Sequence, residues 1–68
     1  MEVLELKFKD NLRVLRKERG LTQSDLAKQL GVDQRTVSAW EKGICEPNFS
    51  ILLKLCEFFE ESLEGLLT

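Results

Sequence analysis

The chain has 68 residues, of which 43% are hydrophobic and 32% charged. Such a length buries only about 60% of the unfolded surface, which leaves room for one core and no separate catalytic domain, and the apolar share excludes intrinsic disorder. The formal net charge is −2, yet residues 7 to 42 hold nine Lys or Arg against five Asp or Glu, while residues 43 to 68 hold one against five. This sidedness suits a domain that turns one face to a polyanion and the other to solvent or a partner.

In chain order, Leu4, Leu6 and Phe8 alternate with Glu5, Lys7 and Lys9 at strand period, so residues 1–7 read as an N-terminal arm, extended or disordered, or as the start of a longer first helix. Phe8, Leu12 and Leu15 recur at helical spacing, with Leu4 one turn earlier, and Gly20 stops that helix after Arg16-Lys17-Glu18-Arg19. Thr22 caps a second helix that runs to about Leu30. Asp25 stands at its third position, and Leu21 is placed to clip onto Leu26. Gly31 ends that helix and Asp33 caps the next, with Val32 placed against Val37. The third helix reaches about Lys42 and stops at Gly43. Pro47 and Asn48 open a fourth, whose Leu52, Leu55, Cys56 and Phe59 fall at i, i+3, i+4 and i+7. Ser62 caps a last short helix carrying Leu63, Leu66 and Leu67. The expectation is an all-α fold of five helices, with Leu12, Leu15, Leu26, Leu30, Val37, Leu52 and Leu55 in its core.

Two short capped helices joined through Gly31 must cross steeply, which is the geometry of a helix-turn-helix, and the small Ala27 lets them approach. A purely structural corner of two helices would want the same residues. No apolar run approaches the roughly 20 residues of a membrane span, and Met1-Glu2-Val3-Leu4-Glu5 lacks the basic start of a secretion signal, so a cytoplasmic place away from membranes is expected. Cys45 and Cys56 have no CxxC spacing and no histidine beside them, so they read as two reduced thiols, Cys56 half-buried, without a metal site. No cofactor is expected. Without a histidine, a nucleophile-base pair or a phosphate-cradling glycine loop, catalysis lacks candidates.

The run from Leu12 to Gln23 (LRVLRKERGLTQ), followed by Leu26-Ala27, Leu30-Gly31-Val32, Thr36-Val37-Ser38, Trp40-Glu41, Gly43 and Pro47, resembles the phage-repressor and Cro-type (XRE family) DNA-binding domains. The likeness spans about residues 8 to 67, so residues 8–68 are taken as one DNA-binding domain of lambda-repressor-like fold. The resemblance implies that the third helix is a recognition helix in the major groove, and that Gln23 and the loop before the fourth helix touch the phosphate backbone. It also implies that Gln23 braces Gln34 and that Arg16 pairs with Glu41. Gln34 stands in the first turn of the third helix, where its amide can take adenine N6 and N7 together. Arg35 suits guanine or a phosphate, and Ser38 and Ala39 face the same groove one turn on. Thr22, Thr36, Lys42 and Asn48 are candidates for backbone contacts or bracing. Trp40 reads as packing rather than base stacking.

In place of the basic residues that many members carry before the proline, this chain has Ile44, Cys45 and Glu46. The loop should hold phosphates weakly, relying on backbone N–H groups and Asn48, or Ile44 should be covered by another subunit. The functional expectation is a transcriptional regulator, a repressor in first place, binding an inverted-repeat double-stranded operator as a homodimer. A regulatory protein partner is left open. The alternative is a protein-interaction module that keeps the fold without specific DNA binding. The expected dimer contact is C-terminal, through Phe58, Leu63, Leu66 and Leu67, ringed by Glu57, Glu60, Glu61 and Glu64.

Overall fold

A computed structural model describes residues 7–68, so the alternating segment expected to form the arm lies, except for Lys7, outside the described residues. Five helices follow one another: α1 (Phe8–Glu18), α2 (Gln23–Leu30), α3 (Gln34–Lys42), α4 (Phe49–Phe59) and α5 (Leu63–Leu67). Among the described residues there is no strand, and no helix is long and apolar enough to cross a membrane.

Four of the five helices begin with a side-chain cap, and three of these, Thr22, Asp33 and Ser62, are legible as caps in the sequence. Thr22 Oγ1 accepts from the Asp25 N–H at 3.0 Å and Asp25 Oδ2 accepts from the Thr22 N–H at 2.9 Å, a reciprocal box that satisfies two otherwise orphaned donors. The hydrogen bond from the Thr22 backbone holds the Asp25 carboxyl below its ordinary pKa. Asp33, Asn48 and Ser62 accept from the N–H groups of Arg35, Ile51 and Gly65 at 2.8, 2.9 and 2.9 Å. α1 has no side-chain cap.

The ends of α2 and α3 require glycine, since Gly31 and Gly43 adopt φ of +73° and +75°, in the left-handed region. Each turn is closed by a backbone bond from the residue beyond the glycine, Val32 N–H to the Ala27 carbonyl and Ile44 N–H to the Ala39 carbonyl, both 3.0 Å. α4 ends on Glu60 with φ +53°, a position where the sequence offers no glycine as a signal.

The core gathers Phe8, Leu12, Leu26, Ala27, Leu30, Val37, Trp40, Leu55, Phe59 and Leu66, so all five helices contribute. Leu15 and Leu52, expected inside, pack against this cluster from half-buried positions. Val37 is fully buried and Ala27 nearly so. The small side chain of Ala27, packed in the core, lets α2 and α3 approach closely at their corner.

Of the residues expected at the dimer contact, Leu66 is taken up by the chain's own core. Leu66 has no exposed surface, because α5 folds back onto its own chain. Asn11 Nδ2 donates to the Leu66 carbonyl at 3.0 Å and the Lys7 N–H donates to the Leu67 carbonyl at 2.8 Å. The apolar face of α5 and its last carbonyls are thus satisfied within one chain. Phe58 is half-buried, stacked edge-on against Phe59 with centroids 5.0 Å apart and overlain by the Arg19 guanidinium 5.9 Å from its ring centre. Leu63 and Leu67 are half-buried as well. The large apolar side chains most open to solvent are Ile44 (74%), Phe49 (63%), Val14 (54%) and Leu53 (49%).

Candidate nucleic-acid interface

α3 presents its outer side as the wall of an open groove of about 250 Å³, lined by Gln34, Arg35, Ser38, Ala39, Lys42 and Ile44. All four residues expected to meet bases lie on this one surface. Gln34 and Arg35 are exposed in the first turn, while Ser38 and Ala39 are half-buried one turn on. Lys42 is exposed at the end of the helix, and no carboxylate lines the groove. The cationic ends of Arg35 and Lys42 flank a polar and apolar middle, a composition that suits a duplex edge between two phosphate strands.

Gln34 is positioned by a chain of hydrogen bonds that ends in the core. Its Nε2 donates to Gln23 Oε1 at 2.8 Å, and Gln23 Nε2 donates to Glu41 Oε1 at 3.1 Å. Glu41 in turn receives both arms of Arg16, Nε on Oε2 at 2.7 Å and Nη2 on Oε1 at 2.9 Å. Arg16 Nη1 also donates to the Leu21 carbonyl at 2.8 Å, so the guanidinium joins α1, the turn before α2 and the last turn of α3. Arg13, further out, donates to the Glu41 backbone carbonyl at 3.1 Å.

Glu41 is 2% exposed and Arg16 9%, so the pair is buried. Burial pushes the Glu41 carboxyl upward, but the hydrogen bonds from Arg16 and Gln23 and the nearby Arg charges outweigh it and leave the pKa below its ordinary value. Arg16 is raised, chiefly by the hydrogen bond to Glu41. A planar guanidinium against a carboxylate in two parallel bonds is directional as well as charged, so it fixes rotation of α3 about its axis.

Among the residues expected at the backbone, Thr22 and Asn48 are exposed, each with its side-chain oxygen engaged in its helix cap. Their remaining donors, the Thr22 hydroxyl and the Asn48 amide, are the groups suited to a phosphate oxygen. Gln23 and Thr36 are half-buried. Gln23 sits in the first turn of α2, where unpaired N–H groups favour an anion. The sequence gives no sign of the Arg13 contact, because a bond to a backbone carbonyl leaves no residue-type pattern.

Residues 12–66 match the model of the family described as Helix-turn-helix. An uncharacterized HTH-type transcriptional regulator of Methanocaldococcus jannaschii is 40% identical over 59 residues, covering 87% of this chain and 89% of that protein. The cryptic phage CTXphi transcriptional repressor RstR of Vibrio cholerae is 38% identical over 52 residues, 76% of this chain and 47% of that one. Two further regulators, from Bacillus subtilis and Enterococcus faecalis, are longer, and the chain spans 52% and 31% of their lengths. Among solved structures, the P22 c2 repressor in complex with a synthetic operator superposes with a TM-score of 0.84 at 33% identity, over 90% of this chain and 92% of that chain.

Proposed function

The chain belongs to the helix-turn-helix family of transcriptional regulators, and we propose that it recognises a specific double-stranded operator by laying α3 in the major groove. The observation that carries this reading is the chain of bonds from Arg16 through Glu41 and Gln23 to Gln34. A glutamine held at its amide nitrogen by a second glutamine, itself anchored on a buried ion pair, is set in one orientation before any ligand arrives, with its own oxygen left free. Preorganisation of that kind favours a directional partner such as the N6 and N7 edge of adenine. Arg35 and Ser38 take neighbouring base edges, Ala39 supplies apolar contact, and Gln23, Thr22, Thr36, Lys42 and Asn48 meet the backbone. The chemistry is binding and not catalysis, in keeping with a family of regulators. Occupancy of the operator represses by excluding other proteins from it.

Two copies of the chain bind an inverted repeat, with their α3 helices about one DNA turn, roughly 34 Å, apart. The two-fold contact uses the outer face of α4. Phe49 and Leu53 are one helical turn apart there and both face solvent. At about 100° per residue, Phe58 is nine residues on from Phe49 and therefore lies on the opposite side of α4, which supports Phe49 and Leu53 over Phe58. Selection of bound sites from a random duplex library, followed by footprinting, tests the reading. An inverted repeat protected over two adjacent turns supports it, and failure to enrich any sequence contradicts it.

A further inference from the structure

We infer that Ile44 is a specificity residue of this interface, which with Ala39 forms an apolar receptor for the C5-methyl group of a thymine at the edge of the half-site. The inference rests on the DNA-binding reading above. Ile44 is the most exposed large apolar side chain among the described residues, at 74%, and it lines the same groove as Gln34, Arg35, Ser38, Ala39 and Lys42.

Its place is fixed by backbone geometry. Gly43 turns the chain in the left-handed region, and the Ile44 N–H bonds back to the Ala39 carbonyl at 3.0 Å. Such a turn ordinarily lets the residue after the glycine pack onto the helix it has just left. Here most of the side chain stays in solvent, so the turn alone does not use it. A branched aliphatic side chain on the rim of a polar, cationic groove gains free energy when the occupant brings an apolar group against it. In a major groove the apolar group on a base edge is the thymine methyl. Lys42, on the same groove, complements the phosphates beside it. Gln34 and Ile44 stand at opposite ends of α3, so the methyl lies several base pairs from the one Gln34 reads.

The test uses the full chain and its selected duplex, with each thymine of the half-site replaced in turn by uracil, which removes only the methyl. Wild type should lose about fourfold in affinity at one position, the worth of one buried methyl, and little elsewhere. Ile44→Ser should bind uracil and thymine at that position equally, while Ile44→Val should keep the discrimination. Replacing that base pair by 5-methylcytosine and by cytosine separates a methyl preference from a thymine preference, since the receptor should favour the methylated cytosine over the plain one. Since Ile44 is exposed, both variants should melt like wild type. Equal loss on uracil substitution in wild type and Ile44→Ser, or no loss in either, overturns the inference while leaving DNA binding intact. Absence of any selected duplex overturns both.

Discussion

Gln34 Nε2 donates to Gln23 Oε1 at 2.8 Å, so a residue at the start of α3 is held by one at the start of α2, eleven positions earlier. Gln34→Ala should therefore cost about 1 to 3 kcal/mol at the selected operator and relax preference at one base pair, with little change on random duplex. Gln23→Ala should relax the same base pair by a smaller amount, and the double variant should lose less than the sum of the two. Binding-site selection with the three variants checks this. Additive losses at different base pairs would mean the two side chains act separately.

Burial of the Arg16–Glu41 pair changes what its removal costs. An exposed pair would be worth at most about 1 kcal/mol. With Glu41 2% exposed, Glu41→Ala strands the Arg16 charge beneath the surface, and such stranding costs about 3 to 5 kcal/mol. Urea unfolding should show that loss, and Gln23, having lost its acceptor, should no longer hold Gln34. A cost below about 1 kcal/mol would show that the guanidinium escapes to solvent.

Acid stability follows from the same carboxylate. The folded-state pKa of Glu41 is lowered relative to the unfolded chain, so the folded state holds its proton less tightly. Its contribution is then complete above the unfolded carboxylate range, about pH 4 to 5, and is lost as pH falls through the lower folded value. Asp25 is shifted in the same direction. Unfolding free energy should fall on acidification below that range and stay nearly level around neutrality, where no histidine titrates. Glu41→Gln should flatten the acid limb, and an unchanged limb would assign it to other carboxylates.

The split between legible and hidden features has a physical pattern. Caps and stops are readable because Thr22, Asp33, Ser62, Gly31 and Gly43 each solve a local backbone problem with few residue-type solutions. Gln23, Gln34, Arg16 and Glu41 were legible through resemblance, since their side chains meet across three helices and no local rule would pair them. The burial of Leu66 within its own chain is not legible in the sequence. The spacing of Leu63, Leu66 and Leu67 says that a face is apolar, not what covers it, and the Asn11 bond that seats α5 on α1 joins residues 55 apart.

Leu66→Ala should destabilise the fold by about 2 to 5 kcal/mol, as removal of a fully buried leucine does. Leu53→Asp, at a side chain 49% exposed, should leave unfolding nearly unchanged and shift sedimentation toward monomer. A dimer that survives both Leu53→Asp and Phe49→Asp would move the two-fold contact to another face.

Whether α3 reads DNA is decided by equilibrium binding of the chain to its selected inverted repeat over a salt series. The logarithm of the affinity should fall linearly with the logarithm of salt, with slope about −0.9 per phosphate neutralised, and the selected duplex should stay preferred over a scrambled one throughout. Binding that is absent, or that is indifferent to both salt and sequence, would contradict that reading and mark the fold here as a surface for proteins rather than for DNA.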